Sequence, residues 1–182
     1  MALLLQYTLI YASVLLLVAL GGCFSERSGI INLGLEGIMV AGALGGALVM
    51  KYMPNLSPAA MVIMVVLGSV VFGMVFSLLL AVAAINFNAD QTLVGTAMNM
   101  LATAAATVFV KAINMAEDPN NVASTIQYID QKKAFSIVKI AGFEVNWFMI
   151  LTIVLLIVSN VVLYRTRLGI RLRACGEHPQ AA

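Results

Sequence analysis

Charged residues are scarce in this sequence. Asp, Glu, Lys and Arg make up 10% of its 182 residues, whereas 62% of the residues are hydrophobic. A soluble domain carries about 25% charged residues and needs them to cover its surface. Because this chain has too few to do so, its surface must face lipid, and we predict an integral membrane protein. The small net charge of +2 does not favour nucleic acid as a partner.

Histidine and cysteine are also nearly absent, which excludes much of enzyme chemistry. The only histidine, His178, lies in the carboxy-terminal tail, so neither a histidine dyad nor a metal cluster can form. Cys23 lies at the end of an apolar stretch, whereas Cys175 lies in the basic segment after the fifth span. The two cysteines suggest neither a disulfide framework nor a metal site. No GxSxG stretch occurs. The sequence thus predicts no catalytic residue, no metal site and no cofactor.

A nucleotide-binding loop is missing as well. Such a loop has the pattern G-x-x-x-x-G-K-[ST], in which backbone amides hold the phosphates and the lysine contacts their outer oxygens. The nearest match runs from Gly68 to Gly73, but Met74 follows it and the segment lies within an apolar stretch. If the protein uses nucleotide energy, another polypeptide must bind the nucleotide.

Five apolar stretches approach the length of a membrane span, which is about 20 helical residues. They cover residues 3–24, 30–50, 59–85, 92–113 and 147–164. The predicted fold class is therefore all-α, a polytopic bundle of transmembrane helices with about five spans. Residues 114–146 form one long polar break. Within it, SIVKIAGFEV is rich in β-branched and apolar residues around Gly142, which favours a short hairpin.

The placement of basic residues predicts the orientation in the membrane. The fifth span is followed directly by Arg165, Arg167, Arg171 and Arg173. Short basic segments beside a span stay in the cytoplasm. Counting back through five spans places the amino terminus and the 114–146 loop outside, and residues 165–182 inside. Lys51 and Lys111 then lie on the wrong side, so the rule holds on balance and not at every loop.

Small residues surround one acid at the start of the second span. They recur at spacings of three and four, on one helix face, as Gly34, Gly37, Ala41 and Gly45, with Gly42 and Gly46 widening that face. This pattern predicts close packing against another helix. Glu36 lies among them. An ionisable residue in a span is a candidate for function, and the alternative is an acid at the membrane edge that pairs with Arg27.

The fourth span carries a polar stripe. Thr92, Thr96, Asn99 and Thr103 follow one another at spacings of four, three and four. Such side chains find partners within the helix bundle or line a wet path through it. The residues alone leave both interpretations open, interhelical hydrogen bonding and a translocation path.

Three segments resemble the ATP-binding-cassette (ABC) permeases for nucleosides and simple sugars, and they occur in the same order. They are IYASVLLLVALGGCFSERSGIINLGLEGIMVAGA, NADQTLVGTAMNMLA and YRTRLGIRLRACGEHPQAA. The resemblance covers nearly the whole chain and identifies residues 1–182 as the amino-terminal part of a permease domain. SERSGIINLGLEG is more similar to the nucleoside and sugar branch than to the permeases for branched-chain amino acids.

The resemblance implies a permease subunit of an ABC importer in the bacterial plasma (inner) membrane. Its implied partners are a cytoplasmic ATPase, a second permease subunit and an extracytoplasmic substrate-binding protein. Candidates for lining the translocation path are Asn32, Glu36, Thr92, Thr96, Asn99 and Thr103. Candidates for coupling to the ATPase are Arg171, Arg173, Gly176 and Glu177. From charge placement alone, residues 165–182 would be a positively charged anchor that holds the end of the fifth span on the cytoplasmic side.

Family permeases continue past GEHPQAA into further helices. We therefore expect a carboxy-terminally truncated permease that lacks roughly half of its helix bundle, and expect no transport by this chain alone. The alternatives are a related permease for branched-chain amino acids, a non-transporting membrane scaffold, and a secondary transporter with its own coupling-ion site.

Overall fold

The computed structural model describes residues 2–126, 136–140 and 143–178. Its helices are α1 (Ala2–Arg27), α2 (Leu35–Tyr52), α3 (Pro58–Asn86), α4 (Gln91–Glu117), α5 (Trp147–Arg165) and α6 (Arg167–Glu177). Two strands, β1 (Ser136–Ile140) and β2 (Phe143–Asn146), pair antiparallel. Apart from this small sheet, the regular structure is helical, which confirms the predicted fold class.

Five of the described helices, α1 to α5, are long and apolar enough to cross a membrane. The predicted number of spans is therefore confirmed, and the chain is a multi-pass membrane protein. The second helix begins at Leu35, five residues later than predicted, because a turn with Gly29 at a φ of +83° precedes it. The fourth helix continues to Glu117. It stops there because Asp118 precedes Pro119, and a residue before proline disfavours the helical conformation.

Local sequence explains where the other helices begin. α3 starts with Ser57 at its N-cap and Pro58 at its first position, where proline loses no hydrogen bond. At the start of α4, the Asp90 carboxylate accepts the backbone N–H groups of Thr92 and Leu93. Such a cap satisfies donors that have no partner within the helix.

The hairpin predicted in SIVKIAGFEV is confirmed by the pairing of β1 with β2. Ser136 lies opposite Asn146 and Ile140 lies opposite Phe143, with an irregularity between Ser136 and Val138. Gly142, which the sequence placed at the centre of this stretch, lies outside the described residues, as do the last four residues of the chain.

The chain divides into two compact units. The first, called here the path unit, comprises residues 33–134 and contains α2, α3 and α4. The second, called here the terminal unit, comprises residues 1–32 and 135–182 and contains α1, the hairpin, α5 and α6.

In the path unit, α2 packs closely against α3 through glycine. A methyl group placed on Gly45 would lie 2.7 Å from the carbonyl oxygen of Gly68, and one on Gly46 would lie 2.6 Å from the Ser69 hydroxyl. A side chain would therefore force the helices apart. This contact confirms that another helix packs on the predicted glycine face, as expected where close backbone approach drives association in lipid.

In the terminal unit, the close contacts lie where α6 meets the ends of α1 and α5. Gly169 of α6 packs against the carbonyl groups of Val162 and Leu163 at the end of α5. Gly176 packs against the carbonyl of Arg27 and against Gly29, just after α1. Thr166 begins α6 as its N-cap and accepts the N–H of Gly169, 3.3 Å away. Together these contacts fix the short α6 at one end of the two spans.

Candidate functional site

An open groove of about 800 Å³ lies between α2 and α4 in the path unit. Its polar lining is Glu36, Thr96, Asn99, Thr103 and Thr107, and its apolar lining is Met100, Ala104 and Val108. The structure thus brings together four of the six residues predicted to line a path. We call this the Glu36 groove.

The two other predicted path residues, Thr92 and Asn32, are not among the lining residues. Thr92 lies in the first turn of α4, where its backbone N–H binds the Asp90 carboxylate at 2.8 Å. Asn32 lies in the segment before α2, at the end of the first part of the terminal unit. Thr107 was missed by the sequence analysis, although it continues the polar stripe four residues after Thr103.

Asn99 joins α4 to the start of α2. Its Oδ1 accepts the backbone N–H of Gly37 at 2.7 Å, and its Nδ2 donates to the carbonyl of Leu33 at 2.9 Å. The Gly37 N–H belongs to the first turn of α2, where backbone donors lack partners within the helix. Asn99 therefore caps α2 from a neighbouring helix, which confirms interhelical hydrogen bonding for this residue.

Glycine permits this approach of α4 to α2. A methyl group on Gly37 would lie 2.8 Å from the carbonyl oxygen of Met98, and one on Gly95 would lie 2.8 Å from the backbone nitrogen of Gly34. Both positions are too close for any side chain. The amide of Asn99 reaches the α2 backbone only because these two glycines leave that space.

The threonines of the stripe behave differently from Asn99. Thr103 donates to the carbonyl of Asn99 at 2.9 Å, and Thr107 donates to that of Thr103 at 2.8 Å. Thr96 likewise donates to carbonyls of its own helix. Each hydroxyl has used its proton on α4, so its oxygen faces the groove as an acceptor.

Glu36 is exposed to the groove from the first turn of α2. The dipole of a helix favours a negative charge at this end. Within the described residues, no basic group lies within 4 Å of its carboxylate. Arg27, named above as an alternative partner, belongs to the terminal unit, where its Nη2 donates to the Tyr164 hydroxyl at 3.5 Å.

An ion pair joins the opposite end of α2 to α4. Nζ of Lys51 lies 2.9 Å from Oε2 of Glu117. Lys51 is one of the two lysines that conflict with the predicted orientation, and this partner offsets its charge. The two residues are 66 positions apart, so no local spacing signalled the pair.

The four residues predicted for coupling lie on α6 and have two different surroundings. Arg171 and Glu177 are exposed. Arg173 is half-buried, with its guanidinium 5.3 Å from the Tyr164 ring centroid. Gly176 is packed against the carbonyl of Arg27. α6 also exposes two large apolar side chains that the sequence analysis did not single out, Leu168 (61% exposed) and Ile170 (57%).

Comparison with known families gives the context for this geometry. Residues 4–182 match the family described as the branched-chain amino acid transport system permease component. The chain belongs to this permease family. Permease components are not themselves enzymes.

Several curated relatives of this permease carry more specific names. The chain is 39% identical over 179 residues to the guanosine ABC transporter permease protein NupQ of Bacillus subtilis, covering 96% of this chain and 56% of the relative. It is 36% identical over 190 residues to the nucleoside ABC transporter permease protein NupC of Lactococcus lactis, with the same coverage. The predicted resemblance to ABC permeases of the nucleoside and sugar branch is confirmed.

A more distant relative is the putative glucose ABC transporter permease protein TsgC13 of Haloferax volcanii. It is 30% identical over 180 residues, which cover 98% of this chain and 53% of the relative. The permease chain thus spans about half the length of the curated relatives it matches. No solved structure matches it.

One further buried polar residue of the permease was missed by sequence reasoning. Asn114, 4% exposed near the end of α4, donates from Nδ2 to the carbonyls of Ala123 and Thr125 at 2.9 and 3.0 Å. It ties the segment after α4 back to the helix. In the sequence, Asn114 directly follows an apolar stretch. That position indicates the end of a span, but not that the side chain binds the segment beyond it.

Proposed function

We propose that this chain is a permease subunit of an ABC importer and forms part of the path by which a nucleoside or a simple sugar crosses the bacterial plasma membrane. Membership of the permease family and the nucleoside-permease names of two relatives support this function. In the proposed assembly, ATP hydrolysis takes place on a separate cytoplasmic ATPase. A second permease subunit and an extracytoplasmic binding protein complete the importer.

The composition of the Glu36 groove is the observation that supports this substrate class best. Nucleosides and sugars present several hydroxyl donors and carry no net charge. The groove offers acceptors to such donors, namely the Glu36 carboxylate and the hydroxyl oxygens of Thr96, Thr103 and Thr107. Met100 and Val108 supply an apolar surface for a flat base or a sugar ring.

The same groove suits a branched-chain amino acid less well. An amino acid carries a carboxylate, which requires a basic side chain or free backbone amides at a helix start. None of the described lining residues is basic. The Gly37 amide at the start of α2 is already bound by Asn99. We therefore favour the nucleoside or sugar substrate over the amino acid.

Coupling to the ATPase is proposed for α6, on the cytoplasmic side, with the 114–146 loop outside. Arg171 and Glu177 are exposed together with Leu168 and Ile170. A short helix with this mixture of apolar and charged side chains fits a groove on a partner protein. Arg173 and Gly176 would act differently, by holding α6 against the ends of the spans.

Uptake of labelled nucleoside by the reconstituted importer tests the proposed path. The decisive variant is Glu36→Gln, which removes the charge and keeps the shape. We expect KM to rise about tenfold, the loss of one hydrogen bond to a charged group. Glu26→Gln is the matched control, because Glu26 is an exposed acid at the end of α1. If Glu36→Leu and Thr103→Val both leave uptake unchanged, the groove is not the path, and the scaffold interpretation gains support.

A further inference from the structure

Two basic side chains in the terminal unit contact one tyrosine. Nη2 of Arg27, the last residue of α1, donates to the hydroxyl of Tyr164 at 3.5 Å. The guanidinium of Arg173, on α6, lies 5.3 Å from the centroid of the same ring. We call these three residues the Tyr164 cluster. Each comes from a different helix, so the packing of the unit creates the cluster.

Backbone packing independently brings the two arginines together. Gly176 of α6 packs directly against the carbonyl of Arg27. Arg173 precedes Gly176 by three residues and therefore lies on the same face of α6. The glycine contact thus directs the Arg173 side chain towards the end of α1. A larger residue at position 176 would move the two guanidinium groups apart.

Within the described residues, neither arginine of the cluster forms an ion pair with a carboxylate, although Glu26 adjoins Arg27 and Glu177 follows Arg173 by four residues. Arg173 donates from Nε to the carbonyl of Gly169 at 3.4 Å, which leaves its terminal amino groups available. Both cations contact the same tyrosine. Like charges repel each other, and an anion that binds both guanidinium groups would reduce that repulsion. Arginine offers paired donors that match phosphate oxygens.

The surroundings of the cluster indicate where such an anion comes from. Tyr164 lies at the end of α5, and Arg27 lies at the end of α1, both of which are membrane spans. Val161 and Ile157 precede Tyr164 by three and seven residues, on the same helix face. They are 47% and 62% exposed. Apolar side chains are exposed on most of α5, and Ile157 and Val161 are those in line with Tyr164. They form an apolar stripe that acyl chains below a bound headgroup can cover.

We propose that the Tyr164 cluster binds the phosphodiester headgroup of an anionic phospholipid, with the acyl chains lying along Ile157 and Val161 of α5. The two guanidinium groups hold the phosphate oxygens. Tyr164 fixes both guanidinium groups, and its hydroxyl proton remains available for a third hydrogen bond. The bound lipid would fasten α6 to the ends of α1 and α5. This site is distinct from the Glu36 groove and from the exposed Arg171 and Glu177.

Native mass spectrometry of the purified 182-residue chain can measure this binding directly. The binding of phosphatidylglycerol, an anionic lipid, is compared with that of phosphatidylcholine of identical acyl chains. The parent chain should bind phosphatidylglycerol more tightly. We expect Arg173→Lys to weaken phosphatidylglycerol binding at least about tenfold, because lysine keeps the charge but loses the paired donors. Arg171→Lys is the matched control on the same helix, and it should leave binding unchanged. Equal binding by both variants and the parent chain would overturn the site.

Two further measurements keep the test decisive. Substitution of Arg173 could weaken lipid binding merely by displacing α6. Arg27→Lys avoids this ambiguity, because it changes an exposed side chain on another helix, and it should reproduce the tenfold loss. Inorganic phosphate, added in excess, should not displace the lipid, because it lacks acyl chains for the α5 stripe. Full displacement by inorganic phosphate would show a site for soluble phosphate and would contradict the lipid proposal. None of these readouts depends on transport.

Discussion

The two units of this permease use glycine in different ways. In the path unit, the glycines of α2 from Gly37 to Gly46 contact α3 or α4 over much of the helix. In the terminal unit, Gly169 and Gly176 bring α6 against the ends of α5 and α1. Close packing along a helix fixes its position and rotation. Close packing at one end fixes only that end.

This difference agrees with the separate tasks proposed for the two units. A path for an uncharged substrate needs hydrogen-bonding groups at fixed positions, and α2 and α4 are fixed by glycine contacts, by Asn99 and by the Lys51–Glu117 ion pair. A coupling helix needs to transmit movement to the spans. α6 contacts the ends of the spans at two glycines, Gly169 and Gly176, so a change at one of them can affect α6 without unfolding the spans.

The largest expected effect is a substitution in the glycine contact of the path unit. Gly45→Val places a branched side chain where a methyl group would already lie 2.7 Å from Gly68 and Phe72. We expect the unfolding free energy in detergent to fall by about 3 kcal/mol or more, the upper range for overpacking. Gly73→Ala is the control, because its methyl group would meet Ile38 at 3.6 Å, an ordinary contact. Equal effects of the two variants would mean that α2 and α3 do not pack tightly.

A smaller effect is expected at the polar contact of the same unit. Asn99→Ala leaves the Gly37 N–H and the Leu33 carbonyl without partners. We expect a loss of about 1–2 kcal/mol in unfolding free energy, the cost of leaving polar groups unsatisfied and the usual value of a hydrogen bond between membrane helices. Thr107→Val serves as the control, since its hydroxyl bonds only its own helix. If both variants are equally stable, Asn99 contributes nothing to α2–α4 packing.

These two contacts also show what the sequence could predict and what it could not. The glycine face and the polar stripe repeat at helical spacing, so the sequence predicted both, together with the spans and the hairpin. The partners were not predictable in this way. Asn99 binds Gly37 across 62 residues, and Arg27 contacts Tyr164 across 137. Such pairs depend on how helices are arranged in three dimensions, which local periodicity does not specify.

The smallest expected effect on overall stability is in the terminal unit, at Gly176. Valine has a better helix propensity than glycine, so local propensity alone predicts a slight stabilisation of α6. Packing predicts the opposite, because any side chain at position 176 collides with the carbonyl of Arg27. We expect Gly176→Val to release α6 from α1 while the unfolding free energy of the spans changes by less than about 1 kcal/mol, the size of a change confined to a surface contact.

Limited trypsin digestion can distinguish these outcomes, because trypsin cleaves after arginine and Arg173 is half-buried. Cleavage after Arg173 should be faster in Gly176→Val than in the parent chain. Cys175→Val is the control, since Cys175 is exposed on the same helix and does not border the cleaved bond. Faster cleavage in both variants would indicate a general loosening of α6. Unchanged cleavage in Gly176→Val would mean that α6 is held by its link to α5 alone, and the proposed convergence of Arg27 and Arg173 on Tyr164 would lose its structural basis.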